Sequence, residues 1–196
     1  GLQTKGKNYL AKTWNIQKFT NNRFIPENLA NKALAIIDNR EYKISENSKY
    51  NFAKINHHLI LFENDLYYED RNEIFIKYDK IYVILLDNTQ REIELSENVL
   101  NFKKKLIESL NLKFTNSEVI NAFKLIKKLN GCSSIDVIYP FIGENLDFLK
   151  KFSKDSGIKI NFLYRKEDIY CWKFSKKGFF NFKKNIPEII DELILK

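Results

Sequence analysis

The sequence contains no methionine, even at position 1, and only 6 glycines and 3 prolines in 196 residues. Because an open reading frame begins with methionine, its absence predicts that the chain is a fragment of a longer protein. The scarcity of glycine and proline argues against a sandwich or barrel rich in tight turns. Hydrophobic residues, in contrast, make up 44% of the chain. That proportion is enough to build a core and excludes general disorder.

Cysteine and histidine are also scarce. Cys132 and Cys171 lie far apart and match no zinc or redox spacing, so we expect reduced thiols in a cytoplasmic protein. His57 and His58 are adjacent at a strand entrance, where neighbouring side chains point to opposite faces, and this argues against a metal site. No apolar run approaches the ~18–20 residues of a membrane span, and no Ser/His/Asp or Cys/His constellation indicates nucleophilic catalysis.

The net charge is +8 and the isoelectric point is near 9.2. A basic balance favours anionic partners, with nucleic acid first among them. Many of the lysines alternate with acidic residues at helical spacing, however, which is typical of a solvated helix face.

Strand-like and helix-like segments alternate from His57 onward. Strands are predicted at 59–62, 81–86, 112–114, 135–139 and 158–163, the last of these an edge strand. Helices are predicted after Ser96, from Asn116 or Ser117 through Leu129, over 144–156, and over 186–195. This alternation predicts an α/β fold with a doubly wound, mostly parallel five-stranded sheet. A shorter helix is expected to start at Pro26, in an otherwise irregular first segment.

Doubly wound sheets bind ligands at the carboxyl ends of their strands, near the switch in strand order. The topology therefore singles out Leu86, Asp87, Asn88, Tyr139 and Phe141 as candidate binding residues. Neither GxGxxG nor GxxxxGK[ST] occurs in the chain, so a standard dinucleotide or P-loop site is not expected.

Residues 57–72 read HHLILFENDLYYEDRN. This segment resembles the opening of photolyases and cryptochromes, in which a strand ending W-F-R leads into x-D-L-R-x-x-D-N. The matching positions are Phe62, Asp65, Leu66 and Asp70. Glu63 and Tyr67 stand where the family has arginine, and a carboxylate cannot replace an arginine clamp for an anionic ligand.

Two further segments are similar to the same superfamily. Residues 169–184 resemble the G-x-x-x-x-F-T-x-F segment that closes its α/β domain. Residues 1–24 are similar to the segment that follows the W-Q-W-x-A region of helical flavin-binding domains in some bacterial photolyase-like proteins. The resemblance implies three parts: the tail end of a helical flavin-binding domain over 1–36, a linker over 37–56, and a photolyase-type α/β domain over 57–196.

The resemblance implies light-driven electron transfer from FAD, used for repair of DNA photolesions or for blue-light sensing. FAD would be bound mostly by a helical domain of the same protein outside this chain, with DNA as a further partner. The five candidate residues above would then line an antenna pocket for a chromophore of unknown identity. This chain alone is not expected to be catalytic.

Two alternatives remain open. One is a non-catalytic α/β module that docks a partner, and the other is a basic nucleic-acid-binding domain without a cofactor. The interleaved lysines and phenylalanines of 173–184 suit nucleic acid, although we favour an apolar seam between domains. Trp14 and Trp172 are expected to pack rather than to relay electrons.

Overall fold

A computed structural model of the protein describes residues 11–29, 52–67, 71–111, 113–175 and 179–195. The chain divides into two compact units, residues 1–44 and 45–196. In the first unit, helix α1 spans Thr13–Phe19 and contains no buried residue. The hydroxyl of Thr13 donates to the carbonyl of Pro26 at 3.3 Å, which folds the following segment back onto the helix start. Residues 26–29 are not helical, so the expectation of a helix starting at Pro26 is not met over this stretch.

The second unit alternates strands and helices. Its five strands are β1 His58–Phe62, β2 Lys80–Leu85, β3 Ser117–Asn121, β4 Ser134–Ile138 and β5 Lys159–Leu163. Its helices are α2 Asn72–Phe75, α3 Glu97–Asn111, α4 Leu125–Lys128, α5 Glu144–Ser156, α6 Lys166–Trp172, α7 Phe179–Lys183 and α8 Ile186–Leu193. Among the helices described, none combines the length and the apolarity needed to cross a bilayer.

All five strands are parallel, in the order β3-β2-β1-β4-β5. The three central strands are buried along nearly their whole length, which explains why their sequences are continuous apolar runs rather than alternating ones. The prediction of a doubly wound, five-stranded parallel sheet is therefore confirmed. The order is that of the first five strands of the Rossmann sheet.

Alternate residues of the strands belong to two separate hydrophobic cores, because successive side chains point to opposite faces of the sheet. On one face Ile60 and Phe62 pack with residues of α4 and α5, including Leu125 and Leu149. On the other face Leu59, Leu61, Ile81 and Val83 pack with residues of α2 and α3, namely Phe75, Ile107 and Leu110. Helices thus cover both faces of the sheet.

The third strand lies later in the chain than the pattern predicted. Lys113 and Phe114 are not in a strand, and Leu112 lies outside the described residues. Ser117–Asn121, predicted to open a helix, pairs along its length with β2. Adjacent β-branched residues at Val119 and Ile120 suit a pleated strand. The amide of Asn116 donates to the carbonyls of Phe75 and Tyr78, at 3.1 and 2.8 Å, and so anchors the entrance of the strand beside β2. The predicted helix is thus reduced to a 3-10 turn followed by α4.

Helix α5 begins and ends at the predicted residues, 144 and 156. Gly157 ends it with φ of +73°, a left-handed conformation that only glycine adopts without strain. The last helix stops two residues before its predicted end, at Leu193.

A fully buried carboxylate, Asp136 in β4, ties the segment before β1 to the sheet. Its side chain accepts five hydrogen bonds of 2.6–2.9 Å, from the backbone amides of Ile55 and Asn56 and from the side chains of Asn56, Tyr78 and Asn161. Burial alone would raise the pKa of Asp136, but these hydrogen bonds outweigh it and lower the pKa below its usual value. The α/β unit therefore includes Ile55 and Asn56, at the end of the stretch predicted as a linker.

Candidate functional site

The strand order reverses between β1 and β4, and ligands of doubly wound folds bind in the crevice at that point. Strand β1 leaves the sheet into Glu63 and Asp65, and strand β4 leaves it into Tyr139 and Phe141. Two clusters of charged side chains occupy this carboxyl edge, one on each side.

The first cluster is centred on Arg91, whose side chain is only 5% exposed. Its Nε donates to the carbonyl oxygen of Leu86 at 2.9 Å, and its Nη1 donates to Oε2 of Glu144 at 2.7 Å. Its Nη2 lies 3.6 Å from Oε1 of Glu63, and the same oxygen accepts a 2.6 Å hydrogen bond from Nζ of Lys103. One arginine thus joins the exits of β2 and β1 to the start of α5.

Glu144 extends this cluster to the loop after β2. It is the first residue of α5, and its Oε1 accepts the backbone amides of Glu92 and Ile93 at 3.0 and 3.2 Å. A carboxylate in the first turn also complements the positive end of the helix dipole. Glu144 therefore connects the start of α5 to the loop after β2.

The second cluster is centred on Asp65, which is 5% exposed. Its Oδ1 accepts from Nη1 of Arg71 at 2.6 Å and from Nη1 of Arg165 at 2.8 Å. Burial raises the pKa of Asp65, while Arg165 and Arg71 act in the opposite direction. A nearly inaccessible carboxylate is thus held between two guanidinium groups.

Arg165 crosses from this carboxylate to the exit of β4. Its Nη2 donates to the carbonyl oxygen of Tyr139 at 3.2 Å, and its guanidinium lies 4.5 Å from the ring centre of Phe141. Its Nε donates to Asp168, in the first turn of α6. Arg165 and Arg91 therefore close the switch-point crevice from its two sides.

The charges of the two clusters balance. Four carboxylates meet four cations: Glu63, Asp65, Glu144 and Asp168 against Arg71, Arg91, Lys103 and Arg165. Among the described residues of these two clusters, each cation is therefore matched by a carboxylate. Buried polar atoms without a hydrogen-bond partner among the described residues include Oε2 of Glu63, Oδ2 of Asp65, Nη2 of Arg91 and Oδ1 of Asn145. Three of the four are acceptors, so a ligand that reached them would need N–H or O–H donors.

Aromatic rings surround Tyr139 beside the second cluster. The centre of its ring lies 5.0–6.2 Å from those of Phe141, Phe162, Tyr164 and Trp172. Burial raises the pKa of Tyr139, and the neighbouring Tyr164 adds to the shift. Phe141 has φ of +65° and is 38% exposed. A bulky residue in the left-handed region stores about 1–3 kcal/mol of strain, and such residues cluster at functional sites.

The structure separates the predicted site residues into two groups. Leu86 is fully buried. Asp87 caps a 3-10 turn by accepting the amide of Thr89 at 3.0 Å, and the side chain of Asn88 both donates to and accepts from the backbone of Leu95 at 2.9 Å. Hydrogen bonds from Thr89 lower the pKa of Asp87. These two polar side chains thus hold the loop after β2.

Tyr139 and Phe141 form the second group, with their rings in contact. Strand β1 lies between β2 and β4, so the two groups are about 10 Å apart, two strand spacings, on either side of Glu63. Of the predicted site residues, only Tyr139 and Phe141 present partly exposed side chains that are not committed to a loop.

Sequence reasoning missed the arginines, although a signal was present. The chain has five arginines among 33 basic residues, and three of the five, Arg71, Arg91 and Arg165, lie at this edge. In a chain that otherwise uses lysine, arginine marks positions where its planar, multidentate donors are needed.

The two histidines and the two cysteines do not belong to either charged cluster. Nδ1 of His57 is 2.9 Å from Oδ2 of Asp79 on the surface, and the His58 ring packs 5.8 Å from that of Tyr82. Cys132 and Cys171 are unpaired and half-buried. Within the described ranges, no group of three or more His, Cys, Asp or Glu side chains is arranged to hold a metal ion.

The fold and the site define a doubly wound α/β domain whose switch-point crevice is closed by paired charges. Comparison of the chain with protein-family models, curated proteins and solved structures gives no match.

Proposed function

We propose that this chain is the α/β part of a photolyase-like flavoprotein, in which it serves as a scaffold and docking domain. The chemistry of the whole protein, light-driven electron transfer from FAD for photolesion repair or blue-light sensing, belongs in this proposal to a helical domain outside the chain. DNA is the substrate or regulator that the resemblance implies.

The observation that carries the scaffold role is the closure of the switch-point crevice by Arg91 and Arg165. The pyrophosphate of FAD needs unpaired donors, such as a glycine-rich turn or free cations at a helix amino end. Here Arg91 lies against the buried Glu63 and the partly exposed Glu144, and Arg165 is paired with the buried Asp65. Displacing these carboxylates would leave charges buried and unpaired, at a cost of about 3–5 kcal/mol for each broken pair. This arrangement favours a flavin site elsewhere in the protein.

An antenna chromophore at the carboxyl edge is the finer part of the proposal. The rings of Tyr139 and Phe141 offer a partly exposed stacking surface, and the nearby unpartnered oxygens favour a ligand with N–H donors over one with phosphates. Tyr139 and Phe141 are the better candidates for contact, because Asp87 and Asn88 are engaged in their loop.

Absorbance tests the proposal. A longer protein that joins this chain to the helical flavin-binding domain of the proposal is expected to purify with flavin that blue light bleaches in the presence of a reductant. The chain alone is expected to purify without flavin. A longer protein without flavin, or retention of FAD by the chain alone, would contradict the proposal. If an antenna is bound, Phe141→Ala should remove its absorbance and leave that of flavin, whereas the control Phe123→Ala should remove neither.

A second candidate is a partner-docking α/β module without any cofactor. It is favoured by the C-terminal end of the described chain, where Ile194 and Leu195 are 73% and 72% exposed and no residue of α8 is buried. Absence of flavin from the longer protein would favour this candidate.

A further inference from the structure

The segment between Asp168 and Glu188 combines positive charge with aromatic rings. Its 19 residues contain five lysines, six aromatic residues and no carboxylate. The chain as a whole intersperses lysine with glutamate and aspartate, so this stretch is a local concentration of unopposed charge.

Two of its phenylalanines project almost entirely into solvent. Phe179 and Phe180, which open α7, are 66% and 79% exposed, and their ring centres lie 5.6 Å apart. Leaving two adjacent rings in water forgoes about 1.5–3 kcal/mol of burial for each. An exposed aromatic pair of this kind marks a binding surface.

Two lysines close to these rings in α7 pair with no carboxylate among the described residues. Lys183 and Lys184 are exposed at the end of α7, and no ion pair involves either within the part of the chain that the structure describes. Lys173 is also exposed and lies over the ring of Tyr170, 4.8 Å from its centre. In contrast, Lys103 and Lys128 hold carboxylates at 2.6 and 2.5 Å.

We propose that Phe179, Phe180, Lys183 and Lys184, together called the Phe-Lys surface, bind single-stranded nucleic acid. Bases stack on the two phenylalanine rings, while the lysines contact the phosphates. A single strand is preferred because the faces of its bases are free, whereas in a duplex they are already stacked. The cores of protein interfaces are depleted in lysine, which makes a protein seam the poorer fit to this surface.

This inference does not rest on the proposed flavoprotein function, and its test needs neither flavin nor light. Binding of the chain to a fluorescent oligothymidylate of about 16 nucleotides is measured by anisotropy, alongside a duplex of equal length. We expect the single strand to bind at least tenfold more tightly. Phe179→Ala/Phe180→Ala should weaken this binding by about tenfold or more, because each stacked base contributes about 1–3 kcal/mol.

A charge-matched pair of variants separates local contact from general attraction. Log K falls with log salt, with a slope of about −0.7 for each phosphate contact on a single strand. Lys183→Gln/Lys184→Gln removes two such contacts and should therefore reduce the magnitude of this slope by about 1.4. Lys104→Gln/Lys105→Gln removes the same charge from α3 and should leave the slope unchanged. Phe102→Ala, which removes an exposed ring followed by three lysines on α3, serves as the aromatic control.

Three results would overturn the proposal: equal affinity for single strand and duplex, an unchanged affinity of Phe179→Ala/Phe180→Ala, or an equal loss in Phe102→Ala. If Phe179→Ala/Phe180→Ala left nucleic-acid binding unchanged but shifted the elution volume of the chain in size-exclusion chromatography, the surface would belong to a protein contact. All the substituted side chains are exposed, and thermal unfolding followed by circular dichroism checks that each variant is folded.

Discussion

Replacement of Asp136 tests how the structure holds the entrance of its central strand. Oδ2 of this buried carboxylate accepts from the backbone amides of Ile55 and Asn56 and from the hydroxyl of Tyr78. Oδ1 accepts from the side-chain amides of Asn56 and Asn161. Asp136→Asn keeps the shape but replaces one oxygen with an amide nitrogen, which cannot accept. The least costly orientation places this nitrogen at the Oδ1 position, where two donors then lose their acceptor.

The magnitude follows from these contacts. A buried donor left without a partner costs about 1–3 kcal/mol, so Asp136→Asn should lower the free energy of unfolding by roughly 2–6 kcal/mol. Asp136→Ala leaves all five donors unpaired and should cost at least about 5 kcal/mol, at the upper end of the range for point mutations. Asp79, an exposed aspartate paired with His57, provides the control, and Asp79→Asn should produce no comparable loss.

Equilibrium unfolding in urea, followed by circular dichroism, measures these changes. The midpoint should fall while the slope with denaturant stays constant, since the folded structure loses stability and not compactness. If Asp136→Asn unfolded at the urea concentration of the wild type, or lost no more stability than Asp79→Asn, the five hydrogen bonds would not hold this segment and the reasoning would be refuted.

Three further predictions concern pH and the charged clusters. Folding lowers the pKa of Asp136, so the stability that this carboxylate contributes is fully present above its unfolded pKa of about 3.9 and is lost as pH falls through the folded pKa. At pH values below about 4, the urea concentration at the unfolding midpoint should therefore decrease, and it should decrease less steeply in Asp136→Asn. Arg91→Met leaves Glu63 buried beside a single cation and should cost about 3–5 kcal/mol, part of which Arg91→Met/Glu63→Gln should restore in a double-mutant cycle by urea unfolding. Arg165→Lys retains the charge, but a lysine cannot contact Asp65 and the carbonyl of Tyr139 at the same time. It should lower the free energy of unfolding by about 1–3 kcal/mol. The same change at an exposed position, Arg23→Lys, is the control and should leave the free energy of unfolding unchanged.

Much of the fold could be predicted because its elements have strong local patterns. Strands β1, β2 and β4 are short apolar runs bounded by polar residues, and α5 combines helical spacing with a glycine just past its end. Strand β3 was misplaced because the apolar spacing of Val119, Ile120 and Phe123 fits a helix as well as a strand. Pairing with β2 decides between the two, and that pairing joins residues about 36 positions apart.

The candidate site was predictable only in part. A doubly wound sheet binds ligands at the carboxyl ends of its strands, and the ends of β2 and β4 could be predicted from the sequence. This predicted the positions of the candidate residues Leu86, Asp87, Asn88, Tyr139 and Phe141. What each side chain does at that edge depends on its partners, such as Thr89 and Leu95, which hold Asp87 and Asn88 in their loop. The ring of Trp172, in α6, lies beside Tyr139, and the guanidinium of Arg165, just after β5, lies over the ring of Phe141. Both residues are distant in sequence from the ones they contact.

The sequence by itself determined the class of fold, because parallel strands buried on both faces and their crossover helices have local signatures of composition and period. It also excluded phosphate-loop sites, since those require glycines at set positions. Only the tertiary structure decided the state of the switch point. Arg165 meets Asp65 across 100 residues and Arg91 meets Glu144 across 53. Whether an arginine is free to hold an anion or is already paired with a buried carboxylate is settled by which distant segments folding brings within about 3 Å of it.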